Sequence, residues 1–371
     1  MDIFAVHHQG VPGRGCLYLV RVHMLLAVLW SLSLIHAIPR TQGLRDWQSP
    51  ETKRYCHSQN WLSMRQRRLC ELHPDLIPSL TEGILAGIGE CKRNFKDRRW
   101  NCPISNVTAV FGPSRLRTRN REMAFLQGMT SASITFHVTR ACGSGEVVEC
   151  GCAQSKGRKH SKNSGVEDWA WGGCSDNIRY GMYFTRDFID TTDTGASDTS
   201  GANLMMQHNY EAGLKTIDAN MRVKCKCHGV SGSCTSKVCW NTMPKIEEIG
   251  QIVFDKYHDA KFMTYSRKRR RLRPSRNQAS ASIKPANTDL VYLAESVDYC
   301  EPNKKHGSVG THGRLCNKTS IYENGCPLLC CGRGYQTMVR KSIGNCNCRF
   351  EWCCEVVCET CQLSEELHIC N

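Results

Sequence analysis

Twenty-five cysteines in a chain of 371 residues constrain this fold more than any other feature of the sequence. A reducing cytosol would leave so many thiols open to mispairing and oxidation, so the density implies an oxidising compartment and a crosslinked product. Size does not demand the crosslinks, because a chain this long can form two or three domains with cores of their own. Hydrophobic residues make up 40% and charged residues 22%, the balance of a globular rather than a disordered protein. The chain should therefore be exported, folded and held by disulfides.

The N-terminus supplies the export signal. Arg14 and Arg21 precede an apolar run from Met24 to Ile35, and His36-Ala37 before Ile38-Pro39 offers a small-residue cleavage point. Residues 1–37 read as a signal peptide, with a signal anchor as the alternative. The run is short of the roughly 20 apolar residues a membrane span needs. Cleavage would remove two arginines, one aspartate and Cys16, taking the net charge from +15 to +14 and leaving 24 cysteines.

Those cysteines fall into two groups. Twelve lie between Cys56 and Cys239, twelve between Cys300 and Cys370, and none between Trp240 and Tyr299. An even number on each side of a gap predicts disulfides that close within each group. The reading is a helical N-terminal domain over 38–240, a basic linker region over 241–299 and a cystine-rich C-terminal domain over 300–371.

In the first domain, Ile77, Leu80, Ile84, Ile88, Cys91 and Phe95 recur at helical steps behind Pro78. The stretch from Phe125 to Cys142 is apolar most of the way round and predicts a central, buried helix. Tyr180, Phe184 and Phe188 mark a third helix; Met206, Tyr210, Leu214, Ile217 and Met221 mark a fourth. From Cys300 onward, cysteines alternate with Gly, Asn and Pro without helical period, the pattern of a small β and loop domain with little core. The adjacent pairs Cys330-Cys331 and Cys353-Cys354 should each send their members to different strands.

Seven of the ten residues from Arg267 to Arg276 are basic. Arg267, Lys268, Arg269, Arg270, Arg271 and Arg273 form a solvated block that in a secreted protein would meet sulphated glycosaminoglycans or a cell surface, not nucleic acid. Two other readings stay open, a loop without a partner and a site cut by a protease specific for basic residues. Asn106-Val-Thr108 and Asn317-Lys-Thr319 are N-glycosylation sequons.

Cys225-Lys-Cys227-His228-Gly229-Val230-Ser231-Gly232-Ser233-Cys234 continues to Cys239-Trp240. Residues two apart share a strand face, so Cys227 with Cys234 and Cys225 with Cys239 could form two rungs of a hairpin. A lone two-stranded ribbon is marginal in water, and the rungs would hold it out. Gly229 and Gly232 permit the tight tip and leave the Ser231 hydroxyl uncrowded, which suits an enzyme that must modify it.

The Cys-His-Gly-Val-Ser-Gly-Ser-Cys block resembles the hallmark of the Wnt family of secreted signalling proteins. Further blocks agree in order: Cys91 to Cys102, Trp171 to Asn177, His208 to Gly213, Asp289 to Leu293 and Leu329 to Tyr335. The resemblance runs from about Cys56 to Cys370. It departs at Tyr210 and Leu214, where the family more often has Asn and Arg, and over residues 261–284. The ending Glu-Leu-His-x-Cys is similar to that of the fourth-named Wnt subgroup.

The resemblance implies an α+β, disulfide-rich fold with a protruding hairpin, the "thumb". It implies no cofactor, but a monounsaturated fatty acyl group on Ser231, attached in the endoplasmic reticulum by the acyltransferase Porcupine. The carrier Wntless would escort the product through the Golgi to the extracellular space and matrix. The acyl chain would enter a groove on the cysteine-rich domain of a Frizzled receptor. Burying about a dozen methylenes at ~0.8 kcal/mol each contributes roughly 10 kcal/mol before binding costs. A second contact, the family's "index finger", maps onto Phe350, Trp352, Cys353, Val356, Val357 and Cys358, with a Cys353–Cys358 disulfide implied. Lipoprotein-receptor-related co-receptors would complete a signalling complex for development, through β-catenin or planar polarity, and heparan sulphate proteoglycans would hold the ligand at surfaces. Trp352 packed on its own disulfides is the alternative reading of the finger.

Two other classes fit poorly. A secreted serine hydrolase using Ser231 and His228 lacks the Gly-x-Ser-x-Gly spacing, because Ser233 stands where the second Gly belongs. A zinc module could be built on Cys358-x-x-Cys361, but one such pair in an oxidising compartment is more simply disulfide. No enzyme activity is expected.

Overall fold

A computed structural model describes residues 50–111, 118–153, 170–190, 200–275 and 284–371. The proposed signal peptide lies outside the described residues. Among the described residues seven helices form the first part: α1 Pro50–Ser58, α2 Met64–Leu72, α3 Ile77–Phe95, α4 Arg121–Ser144, α5 Ile178–Ile189, α6 Ala202–Ala219 and α7 Ile246–His258. A short α8, Cys326–Leu329, belongs to the C-terminal part. Among the described residues no helix is long and apolar enough to cross a membrane.

Helix α4 is the centre. Asn120 caps its start by accepting the Met123 amide, and Gly145, left-handed at φ 77°, ends it. Nearly every side is covered, by α3, α5, α6 and α7. The face of α3 predicted from the spacing is the one it buries, from Ile77 through Phe95. Gly83 lets α3 approach closely: a Cβ there would sit 2.7 Å from the Cα of Ile134 on α4. Tyr210 and Leu214, the two departures from the family's polar residues, are both buried, and Tyr210 stacks on Phe111. Both belong to the apolar interior of the helical part.

Residues 241–299 do more than link. Helix α7 buries Ile249, Val253 and Tyr257 in the same core, and Phe254 and Tyr257 pack edge-on against Phe95 at 5.2 and 4.9 Å. After it, strands β4 Lys261–Ser266 and β5 Arg271–Pro274 form an antiparallel hairpin, and β6 Val291–Tyr292 pairs with β4 in parallel. Leu290, Val291 and Tyr292 are buried against the helices. Among the described residues of this stretch, Arg267 to Arg271 cluster at the end of the β4–β5 hairpin.

Earlier strands are β1 Ala170–Trp171, β2 Arg222–Cys227 and β3 Lys237–Thr242, in the order β1-β3-β2. The C-terminal part adds β7 Pro302–Asn303, β8 Ser308–Val309, β9 Leu315–Cys316, β10 Tyr335–Glu351 and β11 Glu355–Cys370. The last two form one long antiparallel hairpin, with β9 beside β11. Its only buried cluster comprises Cys326, Leu329, Cys330 and Cys370, so this part has little core beyond its cystines. It meets the loop after α3: Arg314 donates to the carbonyls of Arg99 and Lys96 at 2.8 and 3.0 Å, and Arg98 pairs with Glu323 at 2.8 Å.

Eleven disulfides join the described cysteines. Six close within Cys56–Cys239 and five within Cys300–Cys370, as the grouping predicted. Cys330 reaches Cys370 and Cys331 reaches Cys300, so that adjacent pair does divide between partners. Cys353 and Cys354 do not, for both are unpaired.

Candidate functional site

The β2–β3 hairpin stands away from the helical core, with β2 exposed along most of its length. Cys225 faces Cys239 in register and bonds to it, and Cys227 bonds to Cys234 beyond the last paired residues. The two nested rungs are those suggested by the spacing. Beyond them the chain turns in a single 3₁₀ turn, Val230–Gly232. It is closed by Gly229 N–H donating to the Ser233 carbonyl at 2.8 Å and Ser233 N–H to Val230 at 3.1 Å.

Ser231 is the middle residue of that turn. Its backbone is left-handed, φ 57° and ψ 27°, and Gly232 follows at φ 78°. A non-glycine residue there carries roughly 1–2 kcal/mol of strain, which the closed loop must hold. Glycine is required at 229, where a Cβ would lie 2.1 Å from the Ser233 hydroxyl. The Ser231 side chain is exposed and makes no hydrogen bond among the described residues, and its neighbour Val230 is 90% exposed. The hydroxyl is thus open to solvent, and nothing lies near the Cβ position of Gly232 to obstruct it. His228 makes no side-chain bond to Ser231, so the base and nucleophile pairing of a hydrolase is not assembled.

What aims the hairpin is the block from Trp171 to Asn177, which the sequence marked without revealing its work. Strand β1 pairs with β3 through Trp171 opposite Cys239. Asp176 accepts from the Met243 amide at 2.7 Å and the Thr242 hydroxyl at 3.0 Å, and Ser175 accepts from the Asn241 amide. Asn177 then caps α5. The base of the hairpin is clasped to the helical body on one strand, while the tip is free.

The second hairpin, β10–β11, is exposed over most of its length. Phe350, Val356 and Val357 are exposed near its end, and Trp352 at the turn is 95% exposed. Trp352 therefore does not pack on its own disulfides. The expected Cys353–Cys358 bond is replaced by Cys348–Cys358, with Cys346–Cys361 behind it. The reason is register: a bulge between Cys346 and Arg349 brings Cys348 opposite Cys358, whereas Cys353 lies in the turn beyond the last pair, Glu351 with Glu355. Cys358 and Cys361 are each in a disulfide, with Cys348 and Cys346 respectively. Exposed Met338, Val339, Ile343 and Leu363 extend the apolar surface down the stem.

A model of the Wnt family matches residues 58–371. The chain belongs to the Wnt family. It is 40% identical to Protein Wnt-16 of Mus musculus over 319 residues, covering 84% of this chain and 86% of that one. Protein Wnt-16 of Bos taurus matches at 40% over 317 residues, with the same coverage. Among solved structures, human WLS in complex with WNT8A aligns at a TM-score of 0.54 and 33% identity, covering 79% of this chain and 93% of that chain.

This Wnt protein is accordingly a secreted signalling ligand with the family's α+β, disulfide-rich fold, and nothing supports the serine hydrolase alternative. The remaining residues singled out by sequence fall on separate surfaces. Arg267 to Arg271 are exposed at the β4–β5 turn, and Arg273 lies on β5. Asn106 and Asn317 are exposed, and each accepts a hydrogen bond from the threonine hydroxyl of its own sequon, at 2.5 and 2.9 Å. Their amide nitrogens make no bond among the described residues.

Proposed function

We propose that this Wnt protein is a lipid-modified morphogen that binds Frizzled receptors through two hairpins and acts as a ligand rather than an enzyme. The observation that carries the reading is the Ser231 hydroxyl, exposed and unbonded at the tip of a hairpin held by two disulfides. An acyltransferase must reach that oxygen while the rest of the fold stays shut, and the geometry permits it. Porcupine is the enzyme expected to attach a monounsaturated acyl group there. A dozen buried methylenes would supply most of the affinity for the Frizzled cysteine-rich domain and would make a carrier such as Wntless necessary in water. The structural neighbour was solved with that carrier, which favours the same escort here.

The second contact is the finger. An exposed Trp352 flanked by Phe350, Val356 and Val357, with Cys353 at the turn and Cys358 bracing the stem, is an apolar patch without a core to hide in. Lipoprotein-receptor-related co-receptors would complete the complex and start β-catenin-dependent or planar-polarity signalling. The exposed arginines and lysine of the β4–β5 turn suit heparan sulphate proteoglycans, which would hold the ligand in the extracellular matrix. Asn106 and Asn317 are presented for N-glycosylation.

Mass spectrometry of the secreted protein tests this directly. Ser231 should carry the acyl group, and Ser231→Ala should lose acylation, secretion and receptor activation together while the disulfides still form. An unmodified Ser231 peptide from fully active protein would overturn the mechanism.

A further inference from the structure

The basic tract occupies the turn of the β4–β5 hairpin. Ser266 opposite Arg271 is the last pair, and Arg267, Lys268, Arg269 and Arg270 make the turn between them. All five residues from Arg267 to Arg271 are exposed, and among the described residues none of the five has an ion-pair partner. Among the described residues no disulfide spans this point: the N-terminal six end at Cys239 and the C-terminal five begin at Cys300. We infer that the turn is a processing site for a secretory-pathway endoprotease that reads paired basic residues, and that the cut yields a two-chain ligand.

The recognition chemistry is charge-assisted hydrogen bonding of guanidinium groups to carboxylates lining the protease cleft. Arg267, Arg269 and Arg270 lie upstream of the bond after Arg270; Lys268, Arg270 and Arg271 lie upstream of the bond after Arg271. Hydrolysis breaks the C–N bond and adds one water across it, hydroxide to the arginine carbonyl carbon and its proton to the departing amine, which takes a second proton from the new carboxylic acid, with no other reactant. Such a cleft takes its substrate extended, so the turn must open. The hairpin has only four paired positions and an exposed tip, so opening is local.

The consequence follows from the core. The first fragment would hold α1 to α7 and the thumb hairpin, the second β5 onward with the finger. They would remain associated, because Leu290, Val291 and Tyr292 are buried among the helices. Glu122 on α4 also accepts hydrogen bonds from Ser296 and Tyr299. A two-chain form should therefore be whole in native buffer and fall apart in denaturant without any reductant.

The test uses purified, secreted full-length protein and a calcium-dependent, subtilisin-like endoprotease selective for paired basic residues. Expected are a new N-terminus at Arg271 or Leu272, one peak on native gel filtration, and two bands on a denaturing gel run without reductant. Protein carrying Arg269→Gln, Arg270→Gln and Arg271→Gln should lose the two-chain product. The inference is overturned if the protein stays one chain under conditions that fully cut a synthetic peptide of residues 264–275. It is equally overturned if the cut falls elsewhere, or if the fragments separate only after reduction. The readout is the peptide bond itself, so it stands apart from acylation at Ser231.

Discussion

Asn209 and Val291 bond to each other twice. The Val291 amide donates to Asn209 Oδ1 at 2.8 Å, and Asn209 Nδ2 donates to the Val291 carbonyl at 2.9 Å. A side-chain amide on α6 thus completes one edge of β6, whose other edge is β4. Asn209 is fully buried, so no water can substitute. Asn209→Leu would strand both backbone groups at about 1–3 kcal/mol each, a loss of about 3 kcal/mol or more. A lowered urea midpoint with an unchanged slope is the expected result, and an unmoved midpoint would count against the role given to this pair.

The neighbouring His208 sets a pH dependence. Its ring is half-buried, and that desolvation holds its pKa below the ordinary value, although the Asp289 carbonyl that accepts its Nε2–H and the charges of Asp289 and Glu211 pull the other way. His137 and His258 are lowered too, each mainly by burial. Below about pH 6.5 the unfolded chain therefore binds more protons than the folded one, and stability falls as pH drops toward the lowered values. The denaturation midpoint should decline between pH 7 and pH 5. His208→Gln, which keeps an N–H donor, should flatten part of that decline; parallel curves would exclude His208 as a source.

Local pattern carried much of this fold. The face of α3 from Ile77 to Phe95 follows from helical period, and the rungs Cys225–Cys239 and Cys227–Cys234 follow from strand period. Failures came where distant residues decide. Ile249, Val253 and Tyr257 have helical spacing, yet their stretch was read through its charge and its lack of cysteine. The Cys348–Cys358 bond depends on a bulge that shifts register, and a bulge has no spacing signature. Asn209 and Val291 are 82 residues apart, so their pairing was hidden inside two motif blocks that looked unrelated. For the thumb, the serine was legible, but the clasp by Asp176 and Ser175 was not.

Trp352 separates binding from folding. At 95% exposure it contributes almost nothing to the core, so Trp352→Ala should change folding stability by no more than about 0.5 kcal/mol. If it anchors the receptor contact, the same change should weaken binding to a Frizzled cysteine-rich domain by about 2 kcal/mol, roughly 30-fold. Both are to be measured on acylated protein, by thermal unfolding and by surface binding. Unchanged affinity would remove the finger turn from the interface.

The two rungs of the thumb should fail differently. Cys227 and Cys234 are 7 residues apart and enclose only the tip, so removing both frees about 2.5 kcal/mol of loop entropy just where Ser231 is held left-handed. Cys227→Ala with Cys234→Ala should therefore lower the acylated fraction while leaving helix content unchanged, because the tip touches no helix core. Cys239 is fully buried at the clasped base, where its own strand β3 also pairs with β1. Cys225→Ala with Cys239→Ala should cost global stability as well as acylation. Helix content is read by circular dichroism and acylation by mass spectrometry of cell-retained and secreted protein. Full acylation without the outer rung would mean that the acyltransferase accepts a disordered serine, and that the rigid tip serves the receptor instead.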